Sequence, residues 1–248
     1  MQLDKIIAVR NNKTVFCDEN RCYKVFGQDY SKSDVLGEAL NQARAEETGL
    51  NIPKVLEVAV IEGKWTIVSE YIEGKPLSRL MKENPEKRND YLRLFLNLQF
   101  EIFEKSCPLL CGMRENLARK ISLSDVLENT KSDLLHRLYE APDRKKLCHG
   151  DFNPSNVIVT PKNEPYIIDW PHASLGDPVA DAARTYLSFR LDGDDDLGNG
   201  YMTLFLEKSG AKKQEVEFWI PILSAALSVS ANEREKKALF RLIGGMNY

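Results

Sequence analysis

The sequence lacks several features that would assign it to a specialised class of protein. Its five cysteines are few for 248 residues and form no zinc-binding pattern with histidine, so neither a disulfide scaffold nor a zinc module is indicated. The formal net charge of −3 gives no electrostatic reason to expect nucleic acid or an anionic membrane as a partner. The stretch closest to a membrane span, residues 220–231, is interrupted by Pro221 and several serines.

The remaining composition is that of an ordinary globular protein. Hydrophobic residues make up 43% and charged residues 29% of the chain, and its length suffices for one large domain or two lobes, each with a core. The first residues do not have the pattern of a signal peptide. We therefore expect reduced thiols and a cytoplasmic location.

One stretch in the second half of the chain contains three oxygen-bearing side chains on a predicted loop and hairpin. Asp151 and Asn156 lie five residues apart in a segment interrupted by glycine and proline, which predicts a loop. Two short apolar runs follow, 157–159 and 166–168, and are typical of a β-hairpin. Asp169 comes directly after the second run. The hairpin is therefore predicted to bring Asp169 back beside the loop that carries Asp151 and Asn156.

Such a group of oxygen ligands suits phosphoryl transfer. Mg²⁺ prefers oxygen ligands and is commonly held by one or two protein groups together with substrate phosphates. Phosphoryl transfer also needs a carboxylate near the attacking hydroxyl. Asn156 and Asp169 are therefore the predicted metal ligands, and Asp151 is the predicted residue that orients or deprotonates the hydroxyl. The alternative is a hairpin with a Pro-Ser-Asn turn and incidental surface acids.

This stretch resembles the signature of the aminoglycoside phosphotransferase and choline kinase family. The resemblance rests on His149-Gly150-Asp151-Phe152-Asn153-Pro154-Ser155-Asn156 and on Ile167-Ile168-Asp169-Trp170. It is strongest from Cys148 to Tyr186 and extends more weakly over nearly the whole chain. It implies a protein-kinase-like fold, with Asp151 and Asn156 in the catalytic loop and Asp169 as the metal-binding aspartate. The chain has too short an interval after Asp169 for a protein-kinase activation loop and lacks the Ala-Pro-Glu anchor, so a protein kinase is not indicated.

The first part of the chain has the pattern of the small lobe that this resemblance implies. Strands are predicted at residues 6–9, 14–17, 22–26, 55–61 and 65–70, with one helix at 35–47 between the third and the fourth. A capping box in Ser31-Lys32-Ser33-Asp34 begins that helix. Its predicted apolar stripe consists of Leu36, Ala39, Leu40 and Ala43.

Alternation along the third strand places Lys24 on the same face as Cys22 and Phe26. A lysine on an apolar face needs an anionic partner, unless it lies on an edge strand and reaches solvent. The resemblance implies that Lys24 contacts the nucleotide phosphates and that a helix glutamate holds it there. Glu38 is our preferred partner, and Glu46 is the competing candidate.

The resemblance also implies where the nucleotide contacts lie. The backbone of Ser69, Glu70 and Tyr71 is expected to bind the adenine edge. The glycine-rich loop of protein kinases is absent, and residues 10–14 stand in its place. Lys13 and the backbone N–H groups near Asn12 are the candidate phosphate contacts there.

The rest of the chain is predicted to be mainly helical. Helices are expected at residues 77–82, 88–105, 122–140, 179–189, 197–209, 213–230 and 232–243, with Ser122 or Ser124 as an N-cap and a break or kink near Pro221. Asp181 and Arg184 match positions that brace the catalytic loop in the family. The acidic residues 192–196 open a helix, where the helix dipole favours them. The alternative is that they dock a cationic substrate.

The prediction is thus an α+β, two-lobed, protein-kinase-like fold with a small β-sheet lobe containing one helix and a larger, mainly helical lobe. Residues 1–73 would form the nucleotide-binding lobe, and residues 74–248 the catalytic and substrate-binding lobe. The predicted activity is Mg²⁺-dependent transfer of the terminal phosphoryl group of ATP or GTP to a hydroxyl of a small molecule. The acceptor would be of the kind used by aminoglycoside, choline or thiamine kinases. A nucleotide-binding pseudokinase with a scaffold or sensor role is the alternative.

Overall fold

The computed structural model describes residues 5–10, 13–18 and 20–244. Its strands are β1 (Lys5–Arg10), β2 (Lys13–Asp18), β3 (Arg21–Phe26), β4 (Val55–Ile61), β5 (Lys64–Glu70), β6 (Lys75–Pro76), β7 (Lys146–Cys148), β8 (Val157–Val159), β9 (Pro165–Ile167) and β10 (Ser174–Gly176). Its α-helices are α1 (Lys32–Glu46), α2 (Leu77–Glu83), α3 (Arg88–Glu104), α4 (Met113–Leu123), α5 (Glu128–Glu140), α6 (Pro178–Leu191), α7 (Asp195–Ser209), α8 (Lys213–Ser228) and α9 (Glu233–Gly244). No helix within these described residues is long and apolar enough to cross a membrane.

The described residues divide into two compact units. The first unit contains the residues up to Arg88 together with Pro154–Ala173. The second unit contains Asn89–Asn153 together with the residues from Ser174 onward. The assignment of nucleotide binding to residues 1–73 and of catalysis to residues 74–248 stays a prediction.

The first unit is built on an antiparallel sheet with the strand order β1-β2-β3-β5-β4. Helix α1 follows β3 and starts at a capping box, in which Ser31 and Asp34 bond each other's backbone N–H groups. The core between this helix and the sheet contains Phe26, Val35, Ala39 and Ile67. The predicted strands and the capping box are confirmed.

The face that α1 buries differs from the predicted apolar stripe. Leu36 and Leu40 are 41% and 49% exposed, whereas Val35 and the carboxylate-bearing Glu38 are buried. The prediction was right for Ala39 but wrong for Leu36 and Leu40, because it counted apolar side chains alone. The helix is rotated so that an acid lies on its inner face, and the burial of that acid is offset by lysine partners.

A small sheet of order β6-β8-β9 completes the first unit. The predicted hairpin is present, with Val157 opposite Ile167. The backbone N–H of Ile167 donates to Asn51 O over 2.8 Å, which ties the hairpin to the chain before β4. A Cβ atom at Gly74 would lie 2.5 Å from Val159 O, so only glycine fits where the chain approaches β8.

The second unit is mainly helical, and β7 pairs with β10 in a short antiparallel ladder. Phe95 of α3 is fully buried and stacks on Phe152, with ring centroids 4.3 Å apart. Tyr201 and Phe205 of α7 continue this aromatic core. Helix α8 is continuous through Pro221, so the chain is not broken there, and a kink at this proline stays a prediction.

The helix predicted at residues 122–140 starts later in the structure, and most of α4 lies before that range. Residues 122–140 were expected to be continuous, but α4 ends at Leu123 and α5 starts at Glu128. Ser122 and Ser124 are therefore not N-caps. The Ser124 hydroxyl donates to Ile121 O over 2.7 Å, and the Ser122 hydroxyl donates to Ala118 O over 3.0 Å. Both serines satisfy carbonyl groups near the C-terminal end of α4, a use of serine that the sequence does not distinguish from N-capping.

Candidate active site

Lys24 is held between two carboxylates in the first unit. Its Nζ donates to Glu38 Oε1 over 2.5 Å and to Asp169 Oδ1 over 2.7 Å. Glu38 is only 8% exposed. Burial disfavours the charged form of Lys24, but Asp169 and Glu38 outweigh it and raise the pKa of Lys24. The predicted contact between Lys24 and Glu38 is present, whereas a nucleotide-binding role for this pair stays a prediction.

Glu46, the competing candidate, has a different partner. Its Oε1 accepts the backbone N–H of Val55 over 2.7 Å. Burial raises the pKa of Glu46, against the opposing effect of that N–H group. Glu46 therefore fastens the C-terminal turn of α1 to the start of β4.

A second lysine shares the Glu38 carboxylate. Lys13 Nζ donates to Glu38 Oε2 over 2.7 Å and lies 4.9 Å from the ring centroids of both Phe26 and Tyr30. Each oxygen of the buried carboxylate therefore has its own ammonium partner. Asn12, the other candidate phosphate contact, lies outside the described residues.

The hairpin brings the segments of the two predicted metal ligands together. The backbone N–H of Ile168 donates to Asn156 O over 2.9 Å. Asn156 is 5% exposed, and Asp169 adopts a left-handed backbone with φ of 67°. Few non-glycine residues adopt this conformation, although aspartate tolerates it better than most, and such positions concentrate at functional sites.

The chemistry of Asn156 and Asp169 fits a magnesium ion. An amide oxygen and a carboxylate are hard oxygen donors, and Mg²⁺ needs only one or two of them when phosphates supply the rest. The described residues contain no group of three or more His, Cys, Asp or Glu side chains that could hold a metal ion.

The segment predicted to bind adenine already uses some of its backbone donors. The N–H of Glu70 donates to Lys54 O and that of Tyr71 donates to Asn20 O, each over 2.9 Å. Ser69 pairs with Cys22 and Val55 in the sheet. An adenine edge at this segment would therefore be recognised by other groups, chiefly the backbone carbonyls.

Asp151 belongs to the second unit, where several contacts fix its loop. Gly150 has a positive φ of 78°, which glycine adopts without strain, and its N–H donates to Asp181 Oδ1 over 2.7 Å. The Thr185 hydroxyl donates to Phe152 O over 2.8 Å. The backbone on both sides of Asp151 is therefore anchored to α6.

Asp181 and Arg184 of α6 contact this loop in different ways. Asp181 is 1% exposed, and burial raises its pKa against the opposing N–H of Gly150. Arg184 contacts the Asp151 carboxylate itself, with 2.6 Å between Arg184 Nη2 and Asp151 Oδ1. The resemblance implied a bracing role for both residues. Asp181 has the contacts for it, whereas Arg184 acts directly on the proposed catalytic side chain.

Sequence reasoning missed the buried polar network behind the loop. Gln99 Nε2 donates to Asp181 Oδ2 over 3.1 Å and to Thr185 Oγ1 over 3.2 Å, and Tyr201 donates its hydroxyl to Gln99 Oε1 over 2.6 Å. Gln99, Thr185 and Tyr201 are fully buried. The available signal was Gln99 itself, a polar residue within the apolar face of α3.

The acidic residues 192–196 have local partners. Asp194 Oδ1 accepts the N–H of Leu197 over 3.2 Å at the start of α7. Asp195 lies 3.1 Å from Arg190. These contacts agree with the capping interpretation. The docking of a cationic substrate stays a prediction.

Comparisons with known proteins agree with this geometry. The model of the phosphotransferase enzyme family matches residues 11–219. An aminoglycoside 3'-phosphotransferase of Streptomyces fradiae is 26% identical over 208 residues, which are 75% of this chain and 76% of the relative.

Solved structures show the same fold. The crystal structure of a choline/ethanolamine kinase family protein from Mesorhizobium loti superposes with a TM-score of 0.68 at 15% identity, covering 98% of this chain and 88% of that protein. Choline kinase LicA from Streptococcus pneumoniae gives a TM-score of 0.65 at 18% identity over 96% and 90% of the two chains, and it has also been solved with AMP. The predicted α+β, protein-kinase-like fold is confirmed. The chain therefore belongs to the phosphotransferase enzyme family and is a small-molecule kinase.

Proposed function

We propose that this protein transfers the terminal phosphoryl group of ATP, or of GTP, to a hydroxyl group of a small molecule, with Asp151 facing that hydroxyl. The observation that carries the proposal is the position of Lys24 between Glu38 and Asp169. A lysine that two carboxylates hold in place is prepared to orient phosphates.

Lys24 would contact the nucleotide phosphates, and Glu38 would keep its ammonium charged and directed. Asn156 and Asp169 would hold Mg²⁺, which offsets negative charge on the phosphates when it is bound. Because Lys24 and the proposed metal share Asp169, the lysine is expected to turn from Asp169 toward the phosphates in the loaded enzyme.

Asp151 would accept a hydrogen bond from the attacking hydroxyl and so direct its oxygen at phosphorus. The anchored backbone around Asp151 supports this role, since phosphoryl transfer depends mainly on positioning. The side chain is also 26% exposed, so that a substrate hydroxyl has access to it.

An adenine nucleotide is the first donor to test. LicA, which has this fold, was solved with AMP, and the backbone of Ser69, Glu70 and Tyr71 is the proposed adenine site. We retain residues 1–73 as the nucleotide-binding lobe and residues 74–248 as the catalytic and substrate-binding lobe. GTP is the second donor to test.

The acceptor is proposed to be a small alcohol. The names of the relatives direct the first panel toward aminoglycosides and choline, and thiamine extends it. The acidic residues 192–196 would add attraction for a cationic acceptor.

Binding of ATP with and without Mg²⁺ tests the proposed metal site. Calorimetry should show that Mg²⁺ strengthens ATP binding to the wild-type protein, and that the Asp169→Asn variant loses most of this gain. Asp125→Asn, a change at an exposed carboxylate that pairs with Lys236 in the second unit, is the control and should retain the gain. If Mg²⁺ strengthened ATP binding to Asp169→Asn as much as to the wild type, Asp169 would not be a metal ligand.

A nucleotide-binding pseudokinase is the second candidate, because residues 10–14 do not form a glycine-rich loop sequence. A pseudokinase would bind nucleotide without consuming it. The simultaneous presence of Lys24, Asp151, Asn156 and Asp169 favours the enzyme, since a scaffold has no chemical need for all four.

A further inference from the structure

Two lysines from neighbouring strands bind the same carboxylate of α1. Lys13 of β2 lies directly opposite Phe26 of β3, so their side chains are on one face of the sheet. Lys24 is two residues from Phe26 on β3 and therefore shares this face. Lys13 donates to Glu38 Oε2 over 2.7 Å, and Lys24 donates to Glu38 Oε1 over 2.5 Å. The two ammonium groups thus hold both oxygens of one buried carboxylate.

The ammonium of Lys13 has further contacts that fix its position. It lies 4.9 Å from the ring centroids of both Phe26 and Tyr30, and these rings pack edge to face. A ring attracts a cation that lies over its face, so both contacts stabilise the charged lysine. Within the described part of the chain, Glu38 is the only carboxylate that pairs with Lys13, whereas Lys24 also pairs with Asp169. Lys13 therefore has one fixed carboxylate partner, and Lys24 has two.

This difference matters when Lys24 moves. A carboxylate that is held at one oxygen can turn about its terminal bond, because that torsion has only a broad preference. The bond from Lys13 to Oε2 restricts such turning and keeps Oε1 directed at Lys24. In the loaded enzyme, Lys24 is expected to leave Asp169 for the phosphates, and Glu38 is then its remaining carboxylate partner.

We propose that Lys13 is a positioning residue for the nucleotide phosphates: it fixes the Glu38 carboxylate, and Glu38 in turn directs Lys24. Lys13 would act through these two residues without touching the nucleotide. Because residues 10–14 do not form a glycine-rich loop sequence, phosphate positioning depends more on Lys24 and its supports in this chain. The inference rests on the proposed function, in which Lys24 contacts the phosphates.

Two other roles would also place a lysine at this position. Lys13 would be purely structural if it only offset the cost of burying Glu38, which is 8% exposed. It would be a direct phosphate contact if its ammonium left Glu38 for the nucleotide. The three roles differ in how a change at Lys13 affects ATP affinity before and after Lys24 is removed.

A double-mutant cycle on ATP binding separates these roles. Calorimetric titration with ATP in the presence of Mg²⁺ would compare the full-length wild type, Lys13→Met, Lys24→Met and the double variant. Lys13→Met should weaken binding roughly tenfold, the effect of losing one hydrogen bond to a charged group. The same change should have little further effect in the Lys24→Met background, because Lys13 acts through Lys24.

Two further variants serve as controls. Lys64→Met removes a lysine from an exposed position at the start of β5, in the same sheet, and should leave ATP affinity unchanged. Lys13→Arg keeps a cation that can pair with Glu38 and lie over the aromatic rings, and should retain most of the affinity. Thermal unfolding would establish that each variant is folded at the temperature of the titration. If Lys13→Met is not folded there, Lys13→Gln takes its place in the cycle.

The outcomes distinguish the inference from the proposed function. Unchanged ATP affinity in the folded Lys13 variant would overturn the inference and leave Lys13 a structural role. Equal losses in the wild-type and Lys24→Met backgrounds would overturn it in favour of a direct phosphate contact. In both cases, weaker binding by Lys24→Met would leave the proposed function standing. If Lys24→Met bound ATP as well as the wild type, the proposed role of Lys24 would be wrong, and the inference would fail with it.

Discussion

The Glu38→Gln substitution probes the ion cluster most sharply, because Glu38 is the partner of both Lys13 and Lys24. Glutamine keeps the shape of the side chain and one oxygen acceptor but removes the negative charge. Two ammonium groups then lose their shared counter-ion, and Asp169 remains as the carboxylate bonded to Lys24. In the proposed function, Asp169 is also needed for the metal.

The size of the effect follows from the contacts. A hydrogen bond to a charged group contributes about 1.5–3 kcal/mol. The side chains of Glu38, Lys13 and Lys24 are 8%, 19% and 24% exposed, so solvent screening reduces this value only in part. If the loss falls on the orientation of Lys24, binding of Mg²⁺ and ATP should weaken by roughly tenfold to a hundredfold, at about 1.4 kcal/mol for each factor of ten.

The same helix provides a matched control. Glu46→Gln also removes a carboxylate charge from α1, but Glu46 accepts a backbone N–H from β4 rather than a lysine. Calorimetric titration with ATP and Mg²⁺ should therefore show nearly wild-type affinity for Glu46→Gln. Thermal unfolding of both variants would confirm that each is folded at the temperature of the titration. Equal affinities of wild type and Glu38→Gln, with both folded, would show that Glu38 does not position Lys24 for ATP binding, as would a larger loss in Glu46→Gln.

Three further outcomes follow from buried contacts. Asp181→Ala should destabilise the protein by roughly 1–3 kcal/mol in urea unfolding, because the buried N–H of Gly150 loses its acceptor; a smaller change would mean that water replaces the carboxylate. Burial raises the pKa of Asp181 above the ordinary 3.8, so the carboxyl group stays protonated to a higher pH in the native state than in the unfolded state. The contribution of Asp181 to stability should therefore fall as pH rises above 3.8, and Asp181→Asn should reduce this slope in urea unfolding measured across pH. Gly74→Ala should lower the melting temperature because its Cβ would collide with Val159 O, whereas Gly37→Ala in α1, where nothing lies within 4 Å, should stabilise the helix by roughly 0.5–1 kcal/mol; equal melting temperatures would contradict the close approach.

The sequence predicted those parts of the structure that depend on local pattern. Alternating apolar residues marked β1–β5, and the capping box marked the start of α1. The hairpin was predicted because turn residues separate two short apolar runs. The motif around Asp151 indicated the family, because its residue spacing is specific to that family.

Several of the failures occurred where polar side chains are buried. Leu36 and Leu40 of α1 face outward because a buried salt bridge sets the inner face of the helix at Glu38. The pairing of Gln99 with Asp181 joins residues 82 positions apart, and that of Arg184 with Asp151 joins residues 33 positions apart. Such contacts follow from tertiary packing, and no local periodicity in the sequence predicts them.

Mg²⁺-dependent phosphorylation of a panel of small alcohols tests the proposed kinase activity directly. ADP or GDP release and the mass of the acceptor product would be followed for the wild-type protein and for Asp151→Asn. At least one acceptor should gain a phosphoryl group, and Asp151→Asn should largely lose this turnover while binding nucleotide nearly as well as the wild type. Undiminished turnover in Asp151→Asn would contradict the role assigned to Asp151. If the wild-type protein bound nucleotide tightly but consumed no more of it than Asp151→Asn does, the proposed kinase activity would be contradicted. The pseudokinase would then be favoured.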